Sequence, residues 1–233
     1  MTLRGLLFDK DGTLFDFHRS WGPWLAGFLA EVSTSKAQRL QLADTLGFAL
    51  ETQKFRPGSV FVHDTLEEIM DAVLPHLPNW ERAALEAYTI RETALVPQVP
   101  TTPLKPLLER FKARGLVLGV ATNDNEHPAR TQLEAAGVLG CFDFIAGYDS
   151  GFGGKPETGM QRAFCSAHAL APAAVAMVGD SLHDMTSGKN AGMVTIGVLT
   201  GTTSRAELAE VADVVLADIS EIEPWLALRD TKR

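Results

Sequence analysis

Two carboxylates open the chain's chemistry: in LLFDKDGTLFDF, residues 6–17, Asp9 and Asp11 stand two positions apart at the end of an apolar run, followed by Gly12 and Thr13. A carboxylate so placed can attack, move a proton or hold a cation, and in open parallel sheets ligands bind beyond the carboxyl ends of the strands. Taken singly, D-x-D-G more often caps a turn. Three further stretches shift the balance. VATND brings Thr122 and Asn123, a hydroxyl and an amide able to hold phosphate oxygens; GGKPETG sets Lys155 in a Gly-rich loop; VGDSLHD offers a second carboxylate pair, Asp180 and Asp184. Four acids converging on one point repel one another without a cation, and an oxygen-rich set suits Mg²⁺. A bound phosphate together with Lys155 would complete the charge balance.

Such residues need strand ends to position them. LRGLLFD (3–9), LVLGVAT (116–122), FDFIAG (142–147), VAMVGD (175–180), VTIGV (194–198) and DVVLA (213–217) are continuously apolar rather than alternating, which predicts strands covered on both faces, as in a parallel sheet. Helical patterns lie between them: Leu104, Leu107, Leu108 and Phe111 recur at helical spacing and Gly115 follows, and a further helix is predicted over 157–169. Short strand–helix–strand links predict a doubly wound, Rossmann-like α/β fold. From about Phe15 to Val96 no strand pattern occurs. Trp21, Trp24, Leu25, Phe28, Leu29 and Val32 form one apolar stripe, and Leu66, Ile69, Met70 and Val73 another. This predicts an all-helical insert, leaving through VPQVPTTPLKP (96–106), whose four prolines suit a stiff extended linker.

In order and position, DKDGT, TN, GKP and GDSLHD resemble the four motifs of the haloacid dehalogenase superfamily, and the helical insert resembles its mobile cap. FDKDGTL, NAGMVTIGV and the insert's position resemble the phosphoglycolate phosphatase-like branch. The resemblance covers nearly the whole chain. It implies a catalytic α/β core of residues 1–15 and 97–233 with a cap of residues 16–96. It also implies a phosphatase acting on a small phosphorylated metabolite, such as phosphoglycolate, through an aspartyl phosphate. Asp9 would be the nucleophile and Asp11 the general acid and then base. Lys155, Thr122 and the loop around Asn123 would hold the phosphoryl group, and Asp9, the Asp11 backbone carbonyl, Asp180 and Asp184 would hold Mg²⁺. A sugar-phosphate mutase of the β-phosphoglucomutase type would keep the same residues and transfer the group to a sugar instead of water. A dehalogenase would not need Asp11, and a catalytically silent binding protein would have lost the nucleophile.

Composition narrows partners and compartment. With 233 residues and 45% hydrophobic content the chain can bury a sizeable core, and its formal charge of −8 argues against nucleic acid. No apolar stretch approaches the roughly 20 residues of a membrane span, so no membrane partner is expected. Cys141 and Cys165 read as core thiols in a reducing compartment, predicting a cytoplasmic protein, monomer or homodimer. Other residues receive duller readings. Lys10 is expected to point away from Asp9 and Asp11 if strand alternation persists. Glu157 reads as helix-dipole compensation. His18 and His183 can at best support the site from behind, and Arg56 is either a surface arginine or a reader of a substrate carboxylate.

Overall fold

The computed structural model describes residues 2–56 and 58–231. In chain order, β1 (Gly5–Phe8) is followed by α1 (Phe17–Val32), α2 (Lys36–Thr45), β2 (Phe48–Ala49), β3 (Lys54–Phe55), α3 (Val60–His63), α4 (Leu66–Val73) and α5 (Arg82–Ala94). The remainder alternates: α6 (Leu104–Ala113), β4 (Val117–Ala121), α7 (Glu126–Ala135), β5 (Phe144–Ala146), α8 (Gly159–Ala167), β6 (Val175–Gly179), α9 (Leu182–Asn190), β7 (Val194–Val198), α10 (Arg205–Val211), β8 (Val214–Leu216) and α11 (Ile222–Thr231).

Six strands form one sheet in the order β5-β4-β1-β6-β7-β8, every pair parallel. The six apolar runs read from the sequence are these six strands. Because side chains alternate along a strand, Leu6 and Phe8 enter a core with Leu107, Leu108 and Phe111 of α6, whereas Leu7 meets Met160 and Phe164 of α8 on the other face. Helices thus cover both faces. The chain passes from β1 to β4 on one side and later returns to β6 on the other, so the carboxyl end of β1 lies at the topological switch point, where open α/β sheets bind ligands.

Helices α1 to α5 pack around their own apolar cluster, which includes Trp21, Leu25, Phe28, Leu29, Met70 and Val73 from the two stripes. Asp16 starts α1 by accepting from the Arg19 N–H at 3.0 Å, and a reciprocal Thr65–Glu68 box starts α4. The expectation of an all-helical insert needs one correction, because β2 and β3 form an antiparallel hairpin. Phe48 faces Phe55 in it, with ring centroids 5.0 Å apart, and Gln53 takes a left-handed φ of 52°. Two-residue strands are too short to leave a periodic signature. The proline-rich exit is extended only as far as Pro103; Pro106 lies in the first turn of α6, where its missing N–H leaves no helical bond unmade. No helix among the described residues is long and apolar enough to cross a membrane.

Candidate active site

Strand β1 hands Asp9 directly to the switch point: its N–H still donates to the Val178 carbonyl of β6 at 2.8 Å, and then the chain turns. The turn closes on Lys10, whose carbonyl accepts from Leu14 and Phe15 N–H groups at 3.0 and 3.1 Å. Gly12 makes it possible. Its φ is +82°, and a Cβ there would sit 2.5 Å from the Asp180 carboxyl. The loop after β1 and the loop after β6 therefore touch backbone to carboxylate.

Of the four acids expected to converge, Asp9, Asp180 and Asp184 come together and the Asp11 carboxylate does not: one carboxylate oxygen from each of the three lies within 4.8 Å of the other two, and all three residues are buried. Lys155 is the counter-charge, its Nζ donating to Asp9 Oδ1 and Asp184 Oδ1, both at 2.6 Å. Asn123 places that lysine, donating from Nδ2 to the Lys155 carbonyl at 2.9 Å and accepting from the Lys155 N–H on Oδ1 at 2.7 Å. The Asn123 amide thus serves the lysine loop. Asp184 has a second task at the start of α9, where its Oδ2 accepts from Ser181 Oγ at 2.6 Å and completes a capping box. Thr13 Oγ1 donates to Asp180 Oδ1 at 3.3 Å, and Thr122, at the end of β4, is buried with its Oγ1 accepting from the Asp124 N–H at 3.1 Å.

Charge crowding shows in the ionisation of these groups. Burial pushes the Asp9 carboxyl up to about 7, Lys155 opposing the rise and Asp184 and Asp11 adding to it. Burial also raises Asp180 well above the usual carboxylate range, with Asp9 and Asp184 adding to the rise. Burial alone would lower Lys155, yet the Asp184 and Asp9 carboxylates outweigh it and hold the ammonium charged. Three buried carboxylates share one lysine, and the raised Asp9 and Asp180 reflect burial and the negative charge that this lysine leaves uncompensated.

Asp11 stands apart from that trio. Its Oδ1 accepts from the indole Nε1 of Trp21 on α1 at 2.6 Å, and its Oδ2 lies 2.6 Å from Lys10 Nζ. The expectation for Lys10 is therefore overturned. Pairing of β1 ends at Phe8, so alternation no longer governs where Lys10 points, and a fully buried ammonium must find acceptors. It finds Asp11, Gln132 Oε1 at 2.6 Å and Asp124 Oδ2 at 3.3 Å, and it lies 5.3 Å from the Trp21 ring centroid. Burial works against its charge, and the Asp11 and Asp124 carboxylates more than offset that, leaving its pKa raised. Gln132 in turn donates to the Thr93 carbonyl of α5 at 2.7 Å, so the network reaches the insert at both α1 and α5. Sequence reasoning missed Asp124 and Gln132 as parts of the site, and it placed Trp21 in the insert's core or on the cleft without foreseeing its bond to Asp11. The available signal was Asp124 itself, which directly follows Thr122-Asn123.

Replacing Lys10 by Met is expected to cost about 3 kcal/mol of stability, because it strips the buried partner from Asp11 and Asp124. Urea unfolding of the variant measures this; a change under about 0.5 kcal/mol would mean that the network contributes little beyond packing.

The remaining candidates divide cleanly. His183 faces the cavity above the aspartates, whereas His18 stacks on Phe55 in the insert. Arg56 is exposed, pairs with Asp44 at 2.6 Å and does not line that cavity. Cys165 is buried and Cys141 half-buried against the core.

Comparison with known proteins agrees with this fold. The chain is 30% identical over 222 residues to "Probable phosphatase IndB" of Dickeya dadantii (strain 3937), covering 93% of this chain and 90% of that one. It is 26% identical over 238 residues to the pyrophosphatase PpaX of Oceanobacillus iheyensis (strain DSM 14371 / CIP 107618 / JCM 11309 / KCTC 3954 / HTE831), covering 95% and 96%. A crystal structure of a predicted phosphoglycolate phosphatase from Haemophilus somnus 129pt shares the fold, with a TM-score of 0.74 at 18% identity over 96% of this chain and 98% of that one. Residues 3–192 match the haloacid dehalogenase-like hydrolase family, spanning the strand ends that carry Asp9, Thr122, Lys155 and Asp180; the chain belongs to that family of hydrolases.

Proposed function

We propose that this protein is a Mg²⁺-dependent phosphatase that hydrolyses a small phosphomonoester through a phosphorylated Asp9. The observation that carries the reading is the placement of Asp9 beside Lys155 at the switch point, with Asp11 two residues on and held separately by Trp21 and Lys10. Asp9 Oδ attacks phosphorus and the bond from phosphorus to the alcohol oxygen breaks; Asp11 delivers a proton to the departing oxygen. In the second half Asp11 takes a proton from water, the water oxygen bonds to phosphorus, and the bond between phosphorus and Asp9 breaks to free phosphate. Lys155 keeps Asp9 oriented and offsets charge on the phosphoryl oxygens, and Thr122 lines the same cavity. Residues 16–96 act as a cap over these groups.

The donor set fits a hard divalent cation. Three clustered carboxylates offer only oxygen, and one lysine cannot neutralise them. Asp9, Asp180, Asp184 and the Asp11 backbone carbonyl would hold the ion, which when bound neutralises carboxylate and phosphoryl charge.

The test is phosphate release from a panel of phosphomonoesters, including 2-phosphoglycolate because of the Haemophilus relative, with Mg²⁺ and with the metal chelated. Release that needs the metal supports the reading. Silence across the panel, with Asp9 still phosphorylated by acetyl phosphate, would replace it by transfer to a second substrate, as in a mutase.

A further inference from the structure

The catalytic groups fix the phosphoryl end of a substrate, and the cavity above them describes the other end. A cavity of about 100 Å³ runs from Asp9 and Asp11 into the insert. Its far walls are mainly apolar, with Trp24, Leu25, Phe28, Phe61, Ile69 and Met70, and α5 adds the hydroxyls of Thr89 and Thr93. Trp24 stacks on Phe28 with centroids 5.0 Å apart, and Phe61 lies 5.8 Å from Trp21 and 6.0 Å from Trp24, so the aromatic walls support one another. Among the described residues that line the cavity, the basic side chains are Lys155, already shared by Asp9 and Asp184, and His183. Asp64 of the insert also lines it, and its charge would oppose an anionic substrate tail. Arg56, the insert cation that could have read a carboxylate, pairs with Asp44 outside the cavity.

These facts disfavour a charged alcohol. A carboxylate carried into mainly apolar walls loses its hydration, and the basic groups it could meet are already engaged, Lys155 by Asp9 and Asp184 and His183 by the charge of Asp64; such a transfer is among the costlier ones in a protein. An apolar group gains from the same transfer in proportion to its area. Size also constrains the occupant: the same roughly 100 Å³ takes the phosphoryl group at the aspartate end, so the hydrocarbon part must be compact.

We propose that the preferred substrate is the phosphate ester of a compact apolar alcohol, its hydrocarbon part seated between Trp24, Phe61 and Ile69, rather than a carboxylate-bearing ester such as 2-phosphoglycolate. This rests on the phosphatase reading above and adds the substrate class. Benzyl phosphate and 3-methylbutyl phosphate are the probes, because their alcohols are poor leaving groups and differ from sugar or glycerol esters chiefly in polarity.

With Mg²⁺ present, kcat/KM for the two apolar esters is expected to exceed that for 2-phosphoglycolate and glycerol 3-phosphate by at least roughly tenfold. Phe61→Arg, which sets a cation in the apolar wall, is expected to lower the benzyl value and raise the phosphoglycolate value. Because the two move in opposite directions, a merely damaged fold is excluded by that result. Values within tenfold of one another, or a preference for the polar or anionic esters, would overturn the inference while leaving a phosphatase. No release from any ester would overturn the phosphatase reading, and this inference with it.

Discussion

Asp9→Asn is expected to lower phosphate release by at least about 10⁴-fold while leaving the protein folded. An amide cannot form the aspartyl phosphate, yet its Oδ1 can still accept from Lys155, and Lys155 keeps its bond to Asp184. The stability of the metal-free protein carries a second, independent signature. The folded-state pKa of Asp9 is raised to about 7 from an unfolded value near 3.8, so between those values the folded chain holds a proton that the unfolded chain has lost. Stability from this group is therefore fully present below about 3.8, falls as pH climbs from there, and is lost once pH passes about 7. Asn does not titrate. The variant should gain thermal stability relative to wild type at pH 8 and gain little near pH 4, measured without metal. Retained turnover above a hundredth of wild type would remove Asp9 from the nucleophile's role.

Asp11→Asn is expected to cut turnover of alkyl phosphates by roughly 10²–10⁴-fold, and its effect should depend on the leaving group. p-Nitrophenolate leaves without a proton, so phosphorylation of Asp9 by p-nitrophenyl phosphate should survive the substitution. Hydrolysis of the intermediate still needs a base. Rapid mixing should accordingly show a burst of p-nitrophenolate, close to one per protein, followed by a slow steady rate. A uniform loss across leaving groups with no burst would assign Asp11 a structural part instead. Trp21 and Lys10 sharpen the expectation, since each secures one oxygen of the carboxylate and both should hold an Asn side chain less well. The lost partner oxygen would leave the buried Lys10 ammonium with Asp124 and Gln132.

The strands and most of the site's residues can be read from composition along the chain, because a parallel sheet covered on both faces needs uninterrupted apolar runs, and acids at their ends have few other uses. Asp9, Lys155, Asp180 and Asp184 meet for that reason. What escapes such reading lies beyond the last paired residue of a strand. Lys10 sits two residues past Phe8, and its direction follows from the turn that Gly12 permits, from Asp11 beside it, and from acceptors distant in sequence, Asp124 in the loop after β4 and Gln132 on α7. The same holds for Trp21, which in sequence is one more apolar residue of a helical stripe; its indole N–H becomes visible only when the insert is set against the sheet. The β2–β3 hairpin is hidden by brevity, and Arg56 by the nearness of Asp44 once α2 has folded.

Asp184 joins two obligations in one side chain: one oxygen starts α9 and the other anchors Lys155. A chain drifting by single substitutions cannot trade one against the other at this position. Asparagine could still cap the helix but would leave the lysine with half its charge partners, and glutamate would move the oxygens a methylene farther from both. Folding of the β6–α9 corner and competence of the site are thus inherited together, so new activities in this lineage are expected to arise through the walls of the insert while this corner stays as it is.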